Sequence, residues 1–295
     1  MKKILSLSLL LCLCFSAFAV DLPDTEIVNE GLQEFVTGLA DSVPAASTMS
    51  NLWSDAYVGQ LLGIPPHFGV GASAGAAKMD ISGIKKAAKE LGINAVDKLK
   101  DDFILPVASI EAVVGGVFIP FDISGSFMVM DEPIGFSGKN SLQYKIQSFN
   151  LKLRVPLLKQ NIVLPNLSLG VGFARLSGEF FAKVQDINTH INVKYSSDVY
   201  SADVQLSKSV IFLTPYVGAR ILASKSNNTW DYAYTVPNIT SGSDEGNYAN
   251  EEYNINYQLF AGTSFNILVL KLNVNAAYDV KTKVWSVGAG VQVKL

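Results

Sequence analysis

Apolar and polar residues alternate with a period of two over most of the chain after His67. The last stretch shows it most plainly. Trp285, Val287, Ala289, Val291, Val293 and Leu295 are apolar, while Ser286, Gly288, Gly290, Gln292 and Lys294 are polar or lack a side chain. Strand side chains point alternately to opposite faces, so this segment has one greasy face and one wet face. Similar alternation predicts strands near 68–76, 107–117, 121–129, 142–155, 166–183, 200–206, 214–225, 253–261 and 268–279, ten in all with the last. The fourth changes phase near Ser148: Tyr144 and Ile146 are apolar in one phase, Phe149, Leu151 and Leu153 in the other. A bulge there would restore a common face. Polar stretches at 186–198 and 227–250 read as loops.

Two stretches carry helical spacing instead. Val28, Leu32, Phe35, Val36 and Leu39 lie on one face of a helix that Asp24 can cap and Pro44 ends. A second short helix over 45–62 would carry Leu52, Trp53, Tyr57 and Leu61, closed by Gly63-Ile64-Pro65-Pro66. Two readings of residues 20–66 stand: an amphipathic segment on the lower rim, or a plug in the lumen with Leu32, Phe35, Leu39, Trp53 and Tyr57 packed inside. From Ser82, Ile84, Ala87, Ala88 and Leu91 form a stripe with Lys85, Lys86 and Lys89 off it, and Gly92 interrupts before a further turn through Leu99.

Met1 to Ala19 has the form of a secretory signal peptide: Lys2 and Lys3, an apolar run from Ile4 to Phe15, then Ala17-Phe18-Ala19 as the cleavage site. Both cysteines, Cys12 and Cys14, lie within it, so cleavage leaves a chain with no disulfide or thiol chemistry. The net charge of −3 becomes more negative once Lys2 and Lys3 are removed, which gives a nucleic-acid partner no electrostatic support. Hydrophobic residues make up 49% of the chain, yet no later stretch holds the ~20 consecutive apolar residues of a helical span. Barrel strands need only about 10 residues each. These features predict an all-β antiparallel transmembrane barrel of ten strands (eight to twelve by count) over residues 67–295. The rival is a soluble β-sandwich with a second sheet over the greasy faces. An even count puts both termini of the barrel at one end, with the longer connections at the other.

The alternating, apolar-ending C-terminal strand resembles that of bacterial outer-membrane β-barrels, with Leu295 in place of the commoner terminal aromatic. The resemblance implies export to the outer membrane of a diderm bacterium, outer-membrane lipid as surroundings, engagement by the barrel-assembly machinery through the last strand, and a monomer. An N-terminal hatch ahead of the Gly/Ala-rich strand Phe68 to Ala76 is similar to long-chain fatty acid transporters of the FadL type. That likeness implies a hydrophobic solute leaving past the plug or through a lateral gap. The chain lacks the Asn-Pro-Ala turn of those transporters.

Little in the sequence points to a reaction. His67 and His190 stand apart, outside any serine-hydrolase motif and without cysteine to complete a transition-metal site. Asp231, Asp244, Glu245, Glu251 and Glu252 border the long loop at 227–250 without a calcium-loop spacing. No cofactor, metal or catalytic residue is expected. Phe118, Phe121, Tyr216, Trp230, Tyr253, Phe265, Tyr278 and Trp285 fall near strand ends, where aromatic girdles form. The polar phase of the strands nominates a lumen lining of Glu111, Asp203, Gln205, Arg220, Asn254, Asn256, Gln258, Lys271, Asn273, Asn275, Gln292 and Lys294. Such a lining makes either a solute path or a hydrogen-bonded seal. Passive passage of a small, hydrophobic solute is the leading function. The alternative is a surface adhesin or interaction protein anchored by its barrel.

Overall fold

The computed structural model describes residues 22–48, 53, 56–63, 66–93, 100–134, 140–184, 188–236, 240–249 and 253–294. The segment expected to be a signal peptide, the helical turn expected through Leu99, Glu251, Glu252 and Leu295 lie outside them. Among the described residues, two helices, α1 (Thr25–Ser47) and α2 (Ser82–Glu90), accompany eleven strands. These are β1 (Phe68–Asp80), β2 (Asp102–Gly115), β3 (Asp122–Ile134), β4 (Asn140–Leu158), β5 (Asn166–Val184), β6 (Thr189–Ser207), β7 (Leu213–Val236), β8 (Thr240–Ala249), β9 (Asn254–Ile267), β10 (Leu270–Asp279) and β11 (Trp285–Lys294).

Every strand pairs antiparallel. The order runs β6-β5-β4-β3-β2-β1-β11-β10-β9-β7, and β6 pairs with β7 to close the wall. Among the described residues, ten strands therefore form a closed barrel, and β8 is an additional strand that pairs with the far part of β7. The connections at 116–121, 159–165, 208–212 and 268–269 are short and lie at one end. By the asymmetry of outer-membrane barrels that end is periplasmic, and α2 and the β7–β8 hairpin stand at the external end.

The wall is inside-out in its lower part and ordinary in its upper part. On β4, Phe149, Leu151, Leu153 and Val155 are exposed and outward, while Asn150, Lys152 and Arg154 between them are buried. The same strand continues upward without slipping, and there the polarity inverts: Lys145 and Gln147 point out, Tyr144 and Ile146 point in. The bulge expected near Ser148 is absent, since pairing with β5 runs unbroken through that point, from Asn140↔Val184 to Pro156↔Ser168. The register shift of β4 lies instead at Pro156/Leu158, beside the periplasmic turn. The phase change marks a change of surroundings. Below it the outside is hydrocarbon and the inside polar; above it the outside is water and the inside a packed core.

That inversion corrects two further expectations. Residues 189–198 form the upper half of β6, with Ile191, Val193 and Tyr195 buried inward and Asn192 and Lys194 outward. The stretch from Asn227 is the top of β7 and its hairpin partner β8. Two of the expected girdle residues, Tyr216 and Trp230, point into the lumen and are buried. Phe118, Tyr253, Phe265, Tyr278 and Trp285 are exposed on the outside, and Phe121 is half-buried.

α1 fills the upper lumen. Asp24 caps it, accepting from the backbone N–H groups of Glu26 and Ile27 at 2.9 and 3.3 Å. It runs through Pro44 to Ser47 and buries Val28, Leu32, Phe35, Val36, Leu39 and Val43 in the barrel, while Glu30, Gln33 and Glu34 are exposed. Pro44 was expected to end the helix; it is carried in the last turn, where it forgoes its own bond to the Ala40 carbonyl. A separate second helix over 45–62 does not form in the described part: residues 45–47 belong to α1, residues 56–59 have no regular structure, and Gln60 makes a parallel bridge to Gly116.

Candidate functional site

The N-terminal chain threads the lumen from the external end to the periplasmic end. At the top, Asn29 donates to Asp244 of β8 at 2.9 Å and accepts from the Trp230 indole N–H at 3.3 Å. Halfway down, Asn228 donates to the Val36 carbonyl at 2.9 Å, and Asn254 to Asp41 at 2.6 Å. Below α1, Thr48 donates to Gln258 at 3.1 Å, and Arg154 to the Trp53 carbonyl at 3.0 Å. At the foot, the Leu61 N–H donates to the Gly116 carbonyl at 2.8 Å, in the β2–β3 turn. Of the plug residues named from sequence, Leu32, Phe35, Leu39 and Trp53 are buried and Tyr57 is half-buried.

Phe35 meets the Phe180 ring edge-on at 5.4 Å, and the upper core joins it to Leu39, Val43, Leu105, Val107, Met128, Tyr144 and Ile146. Burying one such side chain contributes roughly 1.5–3 kcal/mol, so α1 is held chiefly by apolar packing.

The lower lumen is polar and is organised in cross-strand files. Register places Asp122, Arg154, Gly170, Asp203, Arg220 and Gln258 side by side on successive strands. Asp122 accepts from Arg154 at both oxygens, 2.9 and 2.6 Å, and from His67 Nε2 at 2.9 Å. Lys152 reaches Asp203 at 2.9 Å past Gly170, where a Cβ would stand 2.7 Å from the lysine Cε. Gly170 makes room for this ion pair. Arg220 donates to Gln258 at 3.1 Å and lies over the Phe260 ring at 4.9 Å. A second file sets Gln292 against Glu111 at 2.9 Å across Gly71. Lys294 Nζ lies 5.9 Å from the Trp53 ring centre and 6.0 Å from that of Tyr57, within cation–π reach.

All twelve lumen candidates point inward. Glu111, Asp203, Gln205, Asn256, Gln258, Asn273, Gln292 and Lys294 are buried; Arg220, Asn254, Lys271 and Asn275 are half-buried. The structure adds His67, Asp122, Lys152 and Arg154 to them, all in strand phase with the inward set. His190 lies on the outer face, 3.6 Å from Asp231, far from His67 in the register.

The wall has one weak seam among the described pairings. Hydrogen-bonded pairing between β2 and β3 covers only Ile110–Gly115 against Asp122–Phe127. Above it, β2 pairs only with β1, and β3 only with β4. Ile104, Pro106 and Ala108 flank this open edge on the outside and are exposed, at the upper margin of the apolar belt. Leu105, Val107 and Met128 line it from within and belong to the same apolar core as α1. The sequence did carry a signal: Pro106 lacks a donor, and proline inside a strand is tolerated at an edge. A cavity of about 440 Å³ lies at the opposite, periplasmic end, under the plug's tail, between Tyr57, Gln60, Pro120, Pro156, Lys159 and Asn166.

No protein-family model and no curated protein matches the chain. Solved structures resemble it in shape. The outer membrane protease OmpT of Escherichia coli is 9% identical, with 78% of this chain and 97% of that one covered and a TM-score of 0.45. The translocator domain of the autotransporter NalP of Neisseria meningitidis is 7% identical, covering 77% and 87%, with a TM-score of 0.38. A Pseudomonas aeruginosa FadL homologue is 9% identical, covering 83% and 97%, with a TM-score of 0.28. The chain's own geometry decides its class: a closed antiparallel wall, an exposed apolar belt and a polar lower lumen make it a β-barrel of the outer-membrane type.

Proposed function

We propose that this protein admits a small hydrophobic solute passively across the outer membrane, entering or leaving sideways through the seam between β2 and β3. The observation that carries this reading is the loss of ladder above Ile110 and Phe127, at the upper margin of the apolar belt. Unpaired strand edges beside hydrocarbon cost several kcal/mol per polar group, so an unsealed wall at that margin asks for a purpose. Apolar side chains on both sides of the seam let such a solute move from bilayer to lumen without meeting water. The charged files below oppose its direct passage downward. Onward movement to the cavity at the periplasmic end then requires the tail around Trp53 and Tyr57 to shift, and the Arg154 contact to the Trp53 carbonyl is what restrains it. The reading involves no chemical step.

Extending the Ile110↔Phe127 register places Ala108 opposite Val129, both exposed on the outside. Ala108→Cys with Val129→Cys, in a mature chain free of other cysteines, allows the seam to be closed by a disulfide. Proteoliposome uptake of N-phenyl-1-naphthylamine should fall when the bridge forms and return on reduction. Undiminished uptake with the bridge in place would remove the lateral route. A second reading, a surface interaction protein, draws on the β7–β8 hairpin standing outside the wall. Removing 237–249 would then abolish partner binding and leave uptake unaltered.

A further inference from the structure

Beneath the seam, the outer wall is hollowed by a groove of about 670 Å³ lined by Val70, Ile110, Ala112, Gly125, Phe127 and Phe149. Its floor is the cross-strand pair Ala112 and Gly125. Gly125 differs from the glycines of the lumen. A Cβ on Gly71 or Gly170 would collide with neighbours at 2.7–2.8 Å, whereas one on Gly125 would meet only the Asn150 carbonyl at 3.4 Å and Leu151 at 3.9 Å. Nothing in the sheet requires a missing side chain there, and its absence leaves free volume on the membrane side.

The upper wall of the groove ends at charge. Phe149 pairs across strands with Arg175, which is outward and exposed. Lys145 lies two outward positions above Phe149 on the same strand. Side chains paired on one face have Cβ atoms about 5 Å apart, so a cation stands directly over the groove's aromatic rim. Arg175 pairs with Asp198 and Lys145 with Asp131, each at 3.6 Å, and Glu179 is the other cross-strand neighbour of Lys145.

We propose that this wall binds a phosphorylated lipid of the external leaflet, of the lipid A class. One acyl chain lies along Ala112 and Gly125 between Phe127, Phe149 and Val70, with a headgroup phosphate on Arg175 and Lys145. The occupant follows from position. The groove is continuous with the apolar belt, so hydrocarbon covers it, and its charged end faces the external side, where a phosphate lies at headgroup level. The groove adjoins the seam at Ile110 and Phe127, but lipid binding there does not depend on passage of a solute.

The test uses the full mature chain in neutral alkyl-glycoside detergent, with purified lipid A added and bound lipid counted by native mass spectrometry. Two double variants are compared: Ala112→Leu with Gly125→Leu fills the groove, and Arg175→Gln with Lys145→Gln removes the cations. Ala261→Leu, on the outer face of β9, controls for added bulk. One tightly held lipid A in the parent chain should be lost in the filled variant and weakened about tenfold or more without the cations, since hydrogen bonds to charged groups are the stronger ones. The control should match the parent. Equal retention by the filled variant and the parent would overturn the site. Equal retention of phosphatidylglycerol and lipid A would overturn the assignment to the external leaflet.

Discussion

The carbonyl oxygen of Gly83 stands 2.7 Å from where a Cβ on Gly31 would lie, so α1 and α2 meet backbone to backbone at the external rim. The reciprocal contact, from a Cβ on Gly83 to the Gly31 carbonyl, is tighter still. Each helix supplies its glycine to a spot where any side chain must push the other helix away. Gly83→Val should therefore unseat the top of α1, at a cost of about 1–3 kcal/mol for overpacking. Faster hydrogen exchange over the first turns of α1, with the wall strands unchanged, is the expected signature. Unchanged protection would mean that α2 does not hold the plug.

A second restraint lies at the foot of the lumen. Arg154 is fully buried, gripping Asp122 with two nitrogens and the Trp53 carbonyl with a third. Arg154→Met leaves Asp122 with His67 alone and should destabilise the barrel by about 3–5 kcal/mol, the usual penalty for an orphaned buried charge. Asp122→Leu added to Arg154→Met should recover part of that loss. Urea unfolding in micelles measures both. A single variant as stable as its parent would show that water, not arginine, solvates Asp122.

The external latch responds to acid. The hydrogen bond from Asn29 holds the Asp244 carboxyl below its ordinary value of 3.8. A depressed folded-state pKa means the contact contributes fully above the unfolded value and is lost as pH falls through the lower one. Protection of the first turn of α1 should thus be flat from neutral pH to about 4 and decline only below. Asn29→Leu should remove that decline. A transition near pH 6 instead would overturn the assignment to Asp244.

Much of this architecture is legible in the sequence, and the parts that are not share one cause. In the belt, outward residues such as Val287, Val291 and Leu272 are apolar because lipid is outside, and inward ones such as Gln292 and Asn273 are polar. That rule locates ten wall strands. It fails above the membrane, where α1 supplies the apolar partner inside. There Tyr144, Ile146, Ile191 and Val193 point in while Lys145, Gln147 and Lys194 point out. A reading that equates apolar with outward sees a slipped register in β4 and a loop at the start of β6. The pairs at the lower site were hidden for another reason. His67, Asp122 and Arg154 are 55 and 32 residues apart in sequence, and only strand register brings them together.

Chain direction gives a topological prediction. The Asp24 N–H donates to Glu90 at the end of α2, and Glu30 pairs with Lys86, so α1 begins at the rim that carries the β7–β8 hairpin. Leu22→Cys should be labelled by a membrane-impermeant maleimide on intact cells. Val163→Cys, exposed in the β4–β5 turn, should react only after the outer membrane is permeabilised. The opposite pattern would invert the assignment of the two ends.

Conductance separates a plugged lumen from an open one. In the full chain, Phe35, Leu39 and Val43 fill the upper lumen in contact with the wall, and an ion crossing there would give up its water without gaining a partner. Planar bilayers holding the mature chain should therefore show no steps. Removing 21–63 leaves a lower lumen lined by Lys152, Arg220, Gln258, Lys271 and Gln292, which can carry hydrated ions, and steps should appear. Phe35→Ser in the full chain guards against a collapsed deletion: it should give brief openings, because truncating a buried phenylalanine typically costs about 3–5 kcal/mol of packing. Steady steps from the unaltered chain would show that α1 does not block the path. Silence from all three forms, with insertion verified, would leave the lower files as a second seal and confine passage to the β2–β3 seam.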